Sequence, residues 1–99
     1  MPGHIQIMEF KTSHSEEIRA FAEKVQEDLG DAARSTRMLL TEDRDRPGHF
    51  FVIGEYNSYD EAMEQSNDPR TDAASKRMAA LLDGPPTFFN LDVVKLMHG

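Results

Sequence analysis

His49-Phe50-Phe51-Val52-Ile53-Gly54-Glu55-Tyr56 is the most apolar segment of the chain, and its apolar residues fall on both sides of an extended strand. Successive side chains of a strand point to opposite faces. Phe50, Val52 and Tyr56 therefore share one face, and Phe51 and Ile53 share the other. A sheet wetted on one side alternates apolar with polar residues. This strand needs cover on both sides. Gly54 marks a bulge or a close approach within it.

Upstream, Ser35–Glu42 reads as the antiparallel partner, with Arg37-Met38-Leu39-Leu40 at its centre. The connection contains Asp45-Arg46-Pro47-Gly48, whose proline and glycine form turns. Before it, Ile18, Phe21, Ala22, Val25 and Leu29 make one apolar helical stripe, so a helix is predicted over about Glu16–Leu29. Ser13 and Glu16 have capping-box spacing at its start, with Ser15 as a competing cap. Gly30 follows as a C′ residue able to take positive φ. The chain begins with another strand-like run, His4–Phe10, in which Ile5, Ile7 and Glu9 oppose Gln6, Met8 and Phe10.

Downstream, Ser58-Tyr59-Asp60-Glu61 repeats the capping-box spacing. Pro69 must break or kink the helix that follows, because it lacks an N–H and clashes with the preceding turn. The helix is expected to resume near Thr71 or Asp72, or with Pro69 itself at N1. Ala74, Met78, Leu81 and Leu82 give its buried face, and Asp83-Gly84-Pro85-Pro86 ends it. A last strand is predicted over Thr87–Met97. Phe89 and Leu91 lie on one side of it, Phe88 and Val94 on the other, and Asn90 and Asp92 on the side of Phe88.

The resulting β-α-β-β-α-β order is that of an α+β, ferredoxin-like antiparallel sheet with helices on one face. A single domain over 1–99 is expected. Two helical regions cover one sheet face only. Leaving Phe51, Ile53 and their neighbours in water forgoes about 1.5–3 kcal/mol for each side chain. A second copy packed sheet against sheet removes that loss, so a two-fold homodimer is expected.

The formal net charge of −7 disfavours nucleic acid and anionic membrane surfaces as partners. No cysteine is present, which removes disulfides, thiolate metal sites and a cysteine nucleophile, and fits a cytoplasmic protein. No apolar stretch reads as a signal peptide or membrane span. The four histidines, His4, His14, His49 and His98, have no metal-binding spacing. His4 and His49 each begin a strand and read as edge residues in partial solvent, able to approach each other across the sheet. No nucleophile elbow or phosphate loop is present. No metal and no cofactor are expected.

Four polar residues stand out as candidate ligand contacts. Tyr56 ends the third strand, and Asn67 lies at the Pro69 break, where backbone groups are unpaired. Asn90 and Asp92 share one face of the last strand, which is either a ligand-facing side or the homodimer interface. A carboxylate there must be hydrogen-bonded or raise its pKa. Met38, Met63 and Met78 are placed to line an adaptable apolar pocket.

Tyr59-Asp60-Glu61-Ala62-Met63 and Met78-Ala79-Ala80-Leu81-Leu82-Asp83-Gly84-Pro85-Pro86-Thr87-Phe88, taken with the element order, resemble the dimeric α+β barrel superfamily. Its antibiotic biosynthesis monooxygenase domain family is the most similar group. The resemblance implies a homodimeric barrel with a small-molecule cleft in each protomer, between helices and sheet. It also implies cofactor-independent oxygenation of an aromatic or polyketide-like substrate as an activity. Members often carry histidines where Ser66 and Thr71 stand here. The chain has no tryptophan, so the Asn-Trp-His set of the haem-degrading relatives is missing. A non-catalytic stress-response or ligand-binding barrel, or a structural dimerisation module, is the alternative.

Overall fold

The computed structural model describes residues 3–98; Met1, Pro2 and Gly99 of the expected domain lie outside the described residues. The elements are β1 (His4–Lys11), α1 (Ser15–Leu29), a 3-10 turn (Gly30–Ala32), β2 (Arg37–Glu42), β3 (His49–Tyr56), α2 (Tyr59–Asn67), α3 (Pro69–Ala79) and β4 (Thr87–Asp92). The strands form one antiparallel sheet in the order β2-β3-β1-β4. This is the α+β, ferredoxin-like arrangement that the element order predicts.

Register fixes the two faces. On the helix side, Phe10 opposes Phe50 and Met8 opposes Val52, and Leu40 opposes Val52 from β2. These residues pack with Ile18 of α1 and Met78 of α3 into the main core. Phe10 and Phe50 stack with ring centroids 5.5 Å apart. A second cluster, Leu29, Ala32 and Ala74, joins α1 to α3, and Phe21 touches both clusters. On the open side, Leu39, Ile53, Ile7 and Phe89 form one continuous cross-strand row. Leu39 is 36% exposed and Phe89 42%, so this row lacks cover within the protomer.

Pro69 divides the second helical region, as its chemistry requires. It occupies the first turn of α3, where a missing N–H costs nothing. The helix therefore resumes at Pro69 and not at Thr71 or Asp72. The Asp68 carboxylate caps α3 by accepting from the Arg70 N–H at 2.8 Å. The Ser58 hydroxyl caps α2 by accepting from the Glu61 N–H at 3.1 Å.

Three sequence expectations are corrected. The capping box at Ser13 does not form: the Ser13 hydroxyl donates to Asp83 Oδ1 at 3.1 Å, and Thr12 Oγ1 accepts the His14 N–H at 2.9 Å. The last strand ends at Asp92, well short of Met97. Val93 donates to the Gly3 carbonyl at 3.0 Å, just outside the ladder, whose end pair is His4 of β1 with Asp92. His4 and His49 do not approach one another. Antiparallel pairing sets His4 opposite Tyr56 and His49 opposite Lys11, at the two ends of β1. His4 is also buried, because β1 is a central strand.

Candidate functional site

A cavity of about 700 Å³ lies between the helix side of the sheet and helices α1 and α3. Its floor is Met8 of β1, Met38 and Leu40 of β2, and Val52 of β3. Its roof is Phe21 and Val25 of α1 with Ala74 and Met78 of α3. Gly54 creates part of the space. A Cβ at that position would lie 2.8 Å from Met38 Sδ and 3.3 Å from the Tyr56 hydroxyl. The β1–β3–β2 register runs without a bulge through Gly54, so the glycine serves a close approach of side chains.

Tyr56 lines the cavity from the end of β3 and is 1% exposed. Burial raises its phenol above the ordinary tyrosine range. At neutral pH it is an un-ionised hydroxyl, able to donate or accept. Gln6, Gln65, Ser66, Thr71 and Ser75 add neutral polar groups to the wall. Arg37 and Tyr56 are the two ionisable side chains among the described lining residues, and no carboxylate or imidazole lies with them. Arg37 donates to Glu55 through Nε, is largely exposed and shares the open side of the sheet with Leu39.

The segment between α1 and β2 contributes Ser35 and Thr36 to the wall and is pinned to the α2–α3 junction. The Arg34 N–H donates to Gln65 Oε1 at 2.7 Å, and the Arg34 guanidinium pairs with Glu64 at 3.3 Å. Arg70 donates to both Asp31 and Asp68. These hydrogen bonds from Arg70 hold both carboxyls below their usual range. The same bonds raise the Arg70 guanidinium.

The other candidate contacts take different places. Asn67 is the exposed last residue of α2 and is not among the lining residues. Asn90 and Asp92 lie on the helix side of β4, opposite Gln6 and His4, so their face is not the open one. They form a separate polar group at the sheet edge. The buried His4 ring lies 3.4 Å from Asp92 Oδ1 through Nδ1 and 3.4 Å from Asn90 Oδ1 through Nε2. Gln6 donates to Asn90 Oδ1 at 3.2 Å, and the Tyr59 ring meets His4 edge-on at 5.2 Å. These long contacts tie the end of β4 to β1. Met38 and Met78 line the cavity together with Met8, and Met63 does not.

Gln65 is a lining residue that the sequence reading passed over. Its signal was present: Gln65 follows Ala62 by three residues and so shares its buried helical face. Among the described residues no cluster of three or more side chains is placed to hold a metal ion. No helix of the described residues is long and apolar enough to cross a membrane.

The arrangement of sheet and helices matches solved structures over nearly the whole chain. SnoaB from Streptomyces nogalater, described as a cofactor-independent oxygenase, superposes with a TM-score of 0.82 at 11% identity, covering 98% of each chain. This chain shares the fold of that oxygenase. A Deinococcus radiodurans protein described as a candidate antibiotic biosynthesis monooxygenase gives a TM-score of 0.80 at 13% identity, covering 96% of each chain. Rv0793 from Mycobacterium tuberculosis gives 0.77 at 16% identity, covering 96% of this chain and 98% of its own. No family model matches the sequence, and no curated protein does. At these identities the likeness establishes the fold alone and leaves activity to the residues of the cavity.

Proposed function

We propose that the protein is a homodimer that binds an apolar, aromatic small molecule between α1, α3 and the sheet, and that it oxygenates this molecule without a cofactor. The observation that carries this reading is the cavity itself. It has the volume of a small-molecule site, an apolar majority and a few neutral polar groups. The adaptable methionines Met8, Met38 and Met78 suit a flat ligand. The open row Leu39–Ile53–Ile7–Phe89 supports the second copy, since sheet-on-sheet packing would bury it.

The lining residues limit the chemistry. With no carboxylate or imidazole among them, a substrate must release its proton readily and carry its own reducing electrons. An activated methylene between aromatic rings does so. Its C–H bonds break, one oxygen atom of dioxygen forms the new C=O, and the other leaves with two hydrogens as water. The protein's part is orientation, exclusion of bulk water and a hydroxyl from Tyr56.

A thermal-shift screen of polycyclic phenols and anthrone-type ketones, followed by oxygen-uptake measurements on the hits, tests this. The expected result is a raised melting temperature with one dioxygen consumed per ketone formed. Binding without oxygen uptake favours the non-catalytic ligand-binding reading, to which the absence of an ionisable base among the described lining residues already lends weight. No shift with any compound overturns the small-molecule site.

A further inference from the structure

We infer that the α2–α3 corner of the cavity, built from Gln65 and Thr71, is a recognition point for a neutral carbonyl oxygen of the ligand. This rests on the reading that the cavity holds a small molecule. Gln65 is 7% exposed and lines the cavity. Its orientation is fixed. The Arg34 backbone N–H, 2.7 Å away, can only be accepted by an oxygen, so Oε1 must face Arg34. That leaves both N–H groups of Nε2 as the free end of a buried amide.

Thr71 stands on the other side of the junction, on the same cavity. Its Oγ1 is shielded from solvent and has no hydrogen-bond partner among the described residues. A buried hydroxyl without a partner is costly to the fold, and native structures keep few of them. A ligand atom that accepts hydrogen bonds from Gln65 and Thr71 would satisfy both groups at once.

The chemistry of the corner selects the acceptor. Gln65 Nε2 only donates, and a hydroxyl donates once, so the matching atom is an oxygen with two lone pairs. Among the described lining residues the one cationic side chain is Arg37, on β2, which is engaged by Glu55 on the open side of the sheet. A neutral carbonyl on an aromatic skeleton therefore fits better than a carboxylate or phosphate, whose charge would lie buried without a counter-ion.

The pair 9-fluorenone and fluorene tests this, because the two share one ring skeleton and differ at a single carbonyl. Dissociation constants are measured for the native protein and for Thr71→Val, Thr71→Ser and Gln65→Glu. The glutamate keeps an oxygen for the Arg34 N–H and removes both donors. The native protein is expected to favour fluorenone over fluorene. Thr71→Val and Gln65→Glu are each expected to reduce that preference by roughly three- to tenfold, the range for one hydrogen bond. Thr71→Ser is expected to retain it, and fluorene binding is expected to stay constant throughout. Thr71→Val removes an unpartnered hydroxyl and is expected to fold with an unchanged or higher melting temperature. If both compounds bind equally well and no substitution alters their ratio, the corner has no such role and the cavity reading stands. If neither compound binds, the cavity reading fails and the corner falls with it.

Discussion

Met38 Sδ lies 2.8 Å from the point that a Cβ on Gly54 would occupy, across the β2–β3 pairing. The space that makes the cavity is thus written partly as a missing side chain. Gly54→Val should drive into both Met38 and the Tyr56 ring. Overpacking of this kind costs about 1–3 kcal/mol. The expected outcome is a lower denaturation midpoint in urea and loss of the thermal shift produced by any cavity ligand. A variant that keeps full ligand response would show that the space beside Gly54 is not used.

Ile53 sits at the centre of the uncovered row, between Leu39 and Ile7. Ile53→Asp should place a charge in the sheet-to-sheet contact and dissociate the dimer. The measurement is light scattering at micromolar concentration. Native protein at twice the protomer mass and a monomeric variant are expected. A native protein that scatters as a monomer contradicts the dimer.

Burial raises the Tyr56 phenol, which gives stability a pH dependence with a definite sign. An unfolded tyrosine ionises near 10.0, whereas the folded one holds its proton to higher pH. The contribution is complete below pH 10 and is lost as pH rises from there through the folded pKa. Melting temperatures taken across that alkaline window should fall more steeply for the native protein than for Tyr56→Phe. Equal slopes would mean that Tyr56 is not held un-ionised.

The Ser58 hydroxyl satisfies the Glu61 N–H at the start of α2. Ser58→Ala should lower stability by about 1 kcal/mol, the usual effect of a lost N-cap. Ser13→Ala, by contrast, removes only an exposed bond to Asp83 and should shift the melting temperature less. Equilibrium urea unfolding of the two variants compares them directly.

Local chemistry explains why some elements were legible in the sequence. Pro69 can only stand at a helix break or in a first turn, and Ser58 with Glu61 spells a cap. The third strand, His49–Tyr56, is bounded by a turn on one side and that cap on the other. Features set by distant parts of the chain were not legible. β4 ends at Asp92, opposite His4, the first residue of its partner β1, which no property of Val93–Met97 reveals. His4 is buried because β3 and β4 flank it, a fact of strand order. Ser13 has a good capping sequence and is diverted by Asp83, 70 positions away in the chain. The cavity was expected between helices and sheet through the resemblance to the barrel superfamily. Its polar corner was not, because Gln65 gains its meaning from the Arg34 backbone N–H.

The account turns on the cavity between α1, α3 and the sheet, and the methionines report on it. Met8, Met38 and Met78 line it, whereas Met63 and Met97 do not. With methyl-labelled methionine, titration of 9-fluorenone followed by NMR reads all five positions in one experiment. The expected result is saturable shifts of the Met8, Met38 and Met78 methyls with Met63 and Met97 unmoved. Shifts confined to Met63 and Met97, or no saturable shift at Met8, Met38 and Met78, would contradict it.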